Sequence, residues 1–309
     1  MRGDAGSRFS TRWQRTGTTG DAPMYDDSCC VNDGETLIRG RAKRMASSDT
    51  KTQLTIEQIE TRLAALRPGQ VNPGHWALVA QNAETWAKEV SVGPFWSEAE
   101  RRLSHWRTEY RQVHGGDLLG HIGGLPPFQS KSELSIKDKV IRRCKGDLEK
   151  AVMLFPESRP AVPQMSDLVR TRVQCRYIDG VEFLATKFVE LAKELGHECE
   201  RDRQGKLEGY FAQHVTVKYD VLYRVLGHPQ ACTVSIEIQV ASELATRMWD
   251  ATHGLYEIDR SDDDAPRPQE WQWQPSDPRF ISNQLGHMMH LADGLLVHLR
   301  NVSKVGQKK

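Results

Sequence analysis

The chain has 309 residues, of which 38% are hydrophobic and 27% charged, and its formal net charge is +1. These proportions are typical of a globular protein with enough apolar material for a sizeable core. The near-neutral balance provides no overall field toward nucleic acid or an anionic membrane, so any anion site must be a local basic cluster. No stretch approaches the roughly 18 apolar residues of a membrane-spanning helix, and no membrane partner is expected.

Residues 1–52 are rich in Gly, Ser, Thr, Asp and Arg and lack periodicity, which predicts a disordered tail. They contain no apolar segment typical of a secretory signal, and early arginines leave an organelle transit peptide as the alternative to the expected cytoplasmic location. The cysteines show no C-x-x-C spacing, which favours small apolar side chains in a reducing compartment over a zinc site.

Residues 53–124 are predicted as a helical N-terminal region. Thr55 and Gln58 have the spacing of a capping box. Apolar residues then recur at steps of three and four over 76–90 and 95–113. Aromatic side chains at that spacing are predicted to form core rather than a base-stacking platform.

Residues 125–260 carry a mixed pattern of helical and alternating segments. The predicted elements are a helix from 135 to about 150, a strand over 168–177, a helix over 181–195, a short strand, strands over 210–219 and 232–240, and a helix over 242–256. This order predicts an α/β (α+β) fold with a mixed sheet flanked by helices.

Residues 261–309 are predicted as a loop, with the acidic run Asp262–Asp264, and a C-terminal helix. The acidic run is interpreted as a solvated loop rather than a cation site. His287 and His290 lie three apart on the last helix, but no third ligand accompanies them, and a metal site there is not expected.

A basic cluster begins the central region. Ser135 and Lys139 share one helix face, with Lys131 at the helix entry. A hydroxyl and two ammonium groups at a helix N-terminus can bind an anion. The alternative, favoured by spacing alone, is an ordinary solvated basic face.

Two carboxylates fall at strand positions that could bring them together. Asp167 precedes one predicted strand, and Glu237 and Gln239 share a face of another. Asp167 and Glu237 on neighbouring strands would form a hard-oxygen site suited to Mg²⁺ with phosphates. The alternative is a glutamate on the solvent face of an edge strand, and spacing alone does not separate the two.

Gly209, Tyr210 and His214 open a further strand. Here a glycine permits close approach of a backbone or a ligand, a tyrosine can stack on a base, and a histidine can donate to a phosphate. Taken alone, the pattern favours a glycine at a strand start beside two half-buried rings.

Together and in this order, these residues resemble the RelA/SpoT family of guanosine tetra- and pentaphosphate synthetases, over residues 125–260. The matching motifs are Lys131 with Ser135-Ile136 and Lys139, Asp167-Leu168 with Arg172, Lys206 and Gly209-Tyr210 with His214, Glu237-Ile238-Gln239, and Trp249 with His253. The resemblance implies a nucleotidyltransferase-like sheet and a synthetase without a hydrolase, since no His-Asp dipeptide occurs.

The resemblance also implies roles for single residues. On the ATP side it places Lys131, Ser135, Lys139 and Arg172. It assigns Asp167 to Mg²⁺ and Glu237 to the same metal or to the role of general base. Around the acceptor, GDP or GTP, it places Tyr210, Lys206, His214 and Gln239.

Two departures from the family pattern leave other activities open. Gln129 stands where the family usually has arginine, and Glu208 replaces an asparagine. One alternative is a toxin-like pyrophosphokinase that acts on adenine nucleotides or on the 3′ end of tRNA, the only nucleic acid considered. The other is a catalytically impaired nucleotide-binding regulatory protein. The assembly state, including a homo-oligomer, stays open.

Overall fold

The computed structural model describes residues 54–68, 71, 74–121, 123–144, 146–155, 161–205, 209–225, 228–260 and 272–306; the side chains of 253–260 and 305–306 are not described. The predicted disordered tail, the acidic run Asp262–Asp264, Lys206 and Glu208 lie outside these residues.

Helices and strands alternate irregularly along the described part of the chain. The helices are α1 (Ile56–Leu66), α2 (His75–Ser91), α3 (Pro94–His114), α4 (Glu133–Cys144), α5 (Leu148–Met153), α6 (Ile178–Glu194), α7 (Glu243–Arg260) and α8 (Pro278–Gly306). The strands are β1 (Gln129–Ser130), β2 (Val169–Cys175), β3 (Cys199–Gly205), β4 (Phe211–Val225) and β5 (His228–Ser242).

The strands form one five-stranded sheet in the order β1-β2-β5-β4-β3. Only β2 and β5 run parallel, while the other neighbours are antiparallel. The prediction of a mixed sheet flanked by helices, with helical extensions at both ends, is confirmed. The strands β4 and β5 extend beyond the predicted strands as one long antiparallel pair.

The two faces of the sheet differ because side chains alternate along each strand. Ile236 and Ile238 on β5 are fully buried, and so are their neighbours Val217 and Val215 on β4. The helix α6 covers this apolar face, since Glu182 on α6 accepts a hydrogen bond from Gln213 Nε2 at 2.7 Å. The opposite face carries polar and charged side chains, which makes it the candidate surface for binding a ligand.

The N-terminal helices bury the aromatic residues that the periodicity predicts to be core. Trp76, Trp86, Phe95 and Tyr110 are at most 1% exposed. Trp86 also donates from Nε1 to the carbonyl of Leu222 at 3.0 Å, which fixes α2 to β4. The prediction for the end of this pattern is wrong, because Val113 is 66% exposed in the last turn of α3.

Other local signals have mixed outcomes. The Thr55–Gln58 capping box is confirmed at the start of α1. The single helix predicted from 135 to about 150 is wrong, because α4 and α5 are separate helices and Gly146 between them has φ +74°. A left-handed residue of that kind ends a helix.

The C-terminal helix α8 packs against α7 and α6. Asp293 within it is 2% exposed and accepts a hydrogen bond from the backbone N–H of Ile178, the first residue of α6, at 3.1 Å. His290 stacks on Phe211 with ring centroids 3.7 Å apart. In the described part of the chain, no helix is both long and apolar enough to cross a membrane.

Candidate functional site

The polar face of the sheet brings residues from three strands into register. Arg170 on β2 lies opposite Glu237 on β5, and Arg172 lies opposite Gln239. His214 on β4 pairs with Gln239 from the other side. Because paired residues on neighbouring strands project to the same face, all five side chains belong to one surface.

Asp167 lies two residues before β2, at the edge of this surface. Its Oδ2 is 3.0 Å from Lys131 Nζ and its Oδ1 is 2.6 Å from Lys139 Nζ. The carboxylate is thus held between two ammonium groups from the entry and the second turn of α4. The predicted convergence of Lys131 and Lys139 is confirmed as geometry, and the point at which they meet is Asp167.

Burial and charge act in opposite directions on this triad. Burial acts to raise the pKa of Asp167, but the charges of Lys139 and Lys131 outweigh it and bring the pKa to about 2. Burial lowers the pKa of Lys139, Arg143 and Lys131 lower it further, and Asp167 only partly opposes this. The carboxylate is therefore ionised at neutral pH, and the local charge is net positive.

Ser135 lies at the N-terminus of α4 but does not contact Asp167. Its Oγ accepts a hydrogen bond from Ser132 Oγ at 2.9 Å, while Ser132 Oγ accepts from the backbone N–H of Ser135 at 3.3 Å. Ser132 therefore acts as the cap of this helix. The hydroxyl pair and the helix N-terminus form a polar rim beside the two lysines, suited to an anion.

Glu237 is 7% exposed and is surrounded by hydrogen-bond donors. Gln239 Nε2 donates to its Oε1 at 2.7 Å, Ser166 Oγ donates to its Oε2 at 3.3 Å, and His214 Nδ1 lies 3.5 Å from Oε2. Burial acts to raise its pKa, but His214 and Gln239 outweigh burial, and the pKa lies below its ordinary value. The edge-strand alternative is excluded, since β5 is central in the sheet.

Tyr210 and His214 form the other end of the surface. Tyr210 Oη and His214 Nε2 share a hydrogen bond at 3.0 Å. The ring of Trp249 on α7 packs edge-on against Tyr210, with centroids 4.8 Å apart and the planes at 61°. A chain of contacts thus runs from Trp249 through Tyr210 and His214 to Glu237.

Gly209 places Tyr210 through a close backbone contact. It has φ +75°, and a Cβ there would lie 2.8 Å from the Cα of Gly286 and 2.9 Å from the carbonyl oxygen of Asn283 on α8. The expectation that this glycine permits close approach of a backbone is confirmed, and the approaching backbone is the C-terminal helix.

Arg172 joins the surface to α7. Its Nη1 pairs with Asp250 Oδ1 at 3.0 Å, and its Nε lies 3.4 Å from Gln239 Oε1. Of the ten side chains that the sequence singles out, Lys131, Ser135, Lys139, Asp167, Arg172, Tyr210, His214, Glu237 and Gln239 lie along this face and its rim, whereas Lys206 is outside the described residues.

Three residues of the site are not predicted from the sequence as site residues. Ser166 and Trp249 contact Glu237 and Tyr210, and Arg170 lies directly between Gln129 on β1 and Glu237 on β5. Among the described residues, the exposed Arg170 guanidinium has neither a hydrogen bond nor an ion pair. The available signal was strand alternation, since Arg170 and Arg172 share a face.

Two carboxylates here could hold a divalent cation. Asp167 and Glu237 are both ionised, lie close enough to interact electrostatically, and offer the hard oxygen donors that Mg²⁺ prefers. The described residues hold no cluster of three or more His, Cys, Asp or Glu side chains able to bind a metal. The donor set therefore fits a Mg²⁺ ion that is also bound by substrate phosphates and water.

No protein-family model and no curated protein matches the sequence. Among solved structures, a GTP pyrophosphokinase family protein from Streptococcus pneumoniae is similar at 17% identity and a TM-score of 0.48, over 75% of this chain and 96% of that one. The small alarmone synthetase 1 from Bacillus subtilis is similar at 15% identity and 0.46, over 75% and 98%.

The same Bacillus subtilis enzyme bound to its product pppGpp is similar at 16% identity and a TM-score of 0.41, over 71% of this chain and 98% of that one. At such identities and TM-scores the likeness says nothing about substrate or activity, and the case for an activity rests on the side chains of the site. The structural neighbours of this chain are GTP pyrophosphokinase family and small alarmone synthetase proteins, at low sequence identity.

Proposed function

We propose that this protein transfers pyrophosphate from ATP to the 3′-hydroxyl of GDP or GTP, in a Mg²⁺-dependent reaction that forms guanosine tetra- or pentaphosphate and AMP. The observation that carries the proposal is the placement of Asp167, clamped by Lys131 and Lys139, beside the ionised Glu237 on one sheet face. Cations next to a carboxylate pair suit a reaction that builds negative charge on phosphoryl oxygens.

On the donor side, Lys131 and Lys139 would bind the ATP phosphates, with Ser135 at the helix rim and Arg172 supporting them through its charge. Asp167 and Glu237 would hold Mg²⁺, which supplies neutralisation of the transferring phosphoryl groups. Before substrate binds, the ion pairs with Asp167 hold the two lysines in position. When the phosphates bind, each lysine would exchange the carboxylate oxygen of Asp167 for a phosphate oxygen.

In the transfer, the 3′-hydroxyl oxygen of the acceptor attacks the β-phosphorus of ATP. The bond between that phosphorus and the α,β-bridging oxygen breaks, and AMP leaves with the electron pair. The hydroxyl proton passes to Glu237, whose carboxylate is ionised and is oriented by Gln239 and His214. Positioning and charge neutralisation provide most of the catalysis in such reactions.

On the acceptor side, Tyr210 would stack on the base, with His214, Gln239 and Lys206 around its phosphates and ribose. The Tyr210 ring is half-buried and is linked to Glu237 through His214. Both observations support this arrangement, because they connect a surface that can stack on the nucleobase to the carboxylate that acts as general base. Guanosine is favoured as the base by the motif resemblance.

The test offers ATP labelled in its β- and γ-phosphates together with GDP, GTP, ATP and tRNA, in parallel and with Mg²⁺. Label in a guanosine polyphosphate, with an equal yield of AMP, is the expected outcome. Label in an adenine nucleotide or in tRNA would select the toxin-like activity instead. Nucleotide binding without transfer to any acceptor would select a regulatory protein.

A further inference from the structure

A cavity of about 250 Å³ lies between the end of α4, the segment 162–168 and the first half of β5. Its polar lining consists of the side chains Arg143, Lys218, Gln164, Ser166, Thr233 and Ser235. No acidic residue is in the lining. On this measure a single water molecule needs about 10–15 Å³, so the cavity has room for a phosphate group.

The two cations of the cavity are paired only with neutral groups. Arg143 Nη1 donates to the carbonyl of Gln164 at 3.0 Å, and Lys218 Nζ donates to Ser235 Oγ at 3.3 Å. Within the described ranges neither forms an ion pair with a carboxylate. The acid on the same face of β4, Asp220, instead accepts a hydrogen bond from Thr233 Oγ1 at 2.8 Å.

The cavity adjoins the site described above on two sides. Ser166 lines the cavity and donates to Glu237. Arg143 follows Lys139 by four residues on α4, so the basic row of this helix continues past Asp167 into the cavity. Lys218 extends the polar sheet face of β4 in the same direction, two residues beyond Thr216, which pairs with Glu237.

We propose that this cavity is a subsite for a phosphoryl group, held by Arg143 and Lys218 with the hydroxyl of Ser235, whose proton is free to donate because its oxygen accepts from Lys218. A guanidinium, an ammonium and a hydroxyl are groups that bind a phosphate dianion, and within the described residues neither cation is paired with a carboxylate. The phosphoryl group belongs either to the polyphosphate tail of a nucleotide or to free phosphate. The first source rests on the proposed function, whereas the second does not.

The experiment titrates inorganic phosphate, pyrophosphate, GMP and GDP into the full chain by calorimetry at fixed ionic strength. The variants are Arg143→Gln and Lys218→Gln, with Lys218→Arg as a conservative rescue and a thermal melt to confirm folding. Arg142→Gln is the matched control, because it removes the same charge from the neighbouring position, where Arg142 pairs with Asp138 at 2.7 Å outside the cavity.

Arg143→Gln and Lys218→Gln are each expected to lower the affinity for at least one phosphate ligand about tenfold, which is the effect of losing one charged hydrogen bond. The dissociation constants of Arg142→Gln and Lys218→Arg for the same ligands should stay within about twofold of the wild-type values. A loss confined to GDP, with GMP unchanged, identifies the nucleotide tail as the source. A loss for inorganic phosphate or pyrophosphate identifies a free anion.

The proposal would be overturned if each of the four ligands bound the wild type, Arg143→Gln and Lys218→Gln with the same affinity. It would also be overturned if the wild type bound none of the four. Failure of the proposed function looks different. In that case the labelled-ATP assay gives no transfer, while the cavity variants still lose phosphate affinity relative to Arg142→Gln.

Discussion

Lys139 and Asp167 are joined at 2.6 Å between Nζ and Oδ1, and burial acts on both partners. The carboxylate keeps a pKa of about 2 because two lysines face it, whereas the pKa of Lys139 falls because burial and neighbouring cations outweigh that one carboxylate. The unit therefore has an excess of positive charge that a phosphate chain can neutralise.

Asp167→Asn should destabilise the protein by about 2 kcal/mol at neutral pH, because it leaves two partly buried ammonium groups without their counter-ion. The folded-state pKa of Asp167 lies near 2, below its unfolded value, so this stabilisation is complete above pH ~4 and is lost as the pH falls toward about 2. Urea unfolding at several pH values measures it. Asp138→Asn, which breaks the exposed pair with Arg142, should cost less than about 0.5 kcal/mol; equal losses in both variants would count against the buried unit.

Glu237→Gln should lower kcat about 100-fold or more, since the amide cannot take the proton of the attacking hydroxyl. Affinity for an ATP analogue with a methylene group between the α- and β-phosphates, measured without divalent metal, should change by less than about threefold, because the lysines remain. Since the pKa of Glu237 lies below its ordinary value, kcat should stay level with falling pH until below about 4.3. Glu243→Gln, which removes an exposed pair with Arg247 at the start of α7, is the control, and an unchanged kcat in Glu237→Gln would exclude the general-base role.

Much of this arrangement could be predicted from the sequence, because it depends on local periodicity. Strand alternation placed Glu237 and Gln239 on one face, and helical spacing placed Ser135 and Lys139 together. The order of motifs then indicated which elements meet. These signals do not depend on the exact ends of the elements, which explains why they survive the errors at Gly146 and in the lengths of β4 and β5.

The features that were missed depend on contacts between distant segments. Nothing in the local pattern of β2 shows that Arg170 lies opposite Gln129, because strand register is set by the whole sheet. Trp249 was identified only as a motif residue, and its packing against Tyr210 follows from the direction of α7. Gly209 was identified as a close-approach position, but the partner, Gly286, lies 77 positions away in sequence on α8.

Tyr210→Ala should raise the KM for the acceptor about tenfold and leave the KM for ATP unchanged, because stacking of one base on an aromatic ring contributes about 1–3 kcal/mol. Tyr210→Phe keeps the ring and loses the hydrogen bond between Oη and His214, so the KM for the acceptor should rise by about threefold or less. Steady-state kinetics with each substrate varied in turn measures both values. A parallel rise in the KM for ATP and for the acceptor would remove Tyr210 from the acceptor side.

Gly209→Ala should lower the free energy of unfolding by more than about 3 kcal/mol, as a severe core substitution does. The reason is that the new Cβ would lie 2.8 Å from the backbone of α8. The matched control is Gly146→Ala. Gly146 has φ +74°, against +75° for Gly209, but a Cβ there meets nothing within 4 Å. The control should therefore cost only the roughly 1–2 kcal/mol of a left-handed alanine. Thermal unfolding of both variants separates backbone strain from the close contact, and equal costs would mean that α8 moves aside freely.

Arg170→Gln should weaken binding of the methylene ATP analogue about tenfold, because it removes a guanidinium that has no partner among the described residues and lies on β2 between Gln129 and Glu237. Gln129 and Arg170 are directly paired across β1 and β2 and share an exposed face, so the cation could stand on either strand. The double variant Gln129→Arg with Arg170→Gln should thus recover at least half of the lost binding free energy. Arg101→Gln, at an exposed pair on α3, is the control for charge. If the double variant restores no affinity while Arg170→Lys keeps full affinity, Arg170 acts from its own position and a cation at position 129 cannot replace it.

If Arg170→Gln binds the analogue as tightly as the wild type, Arg170 has no part in the donor site.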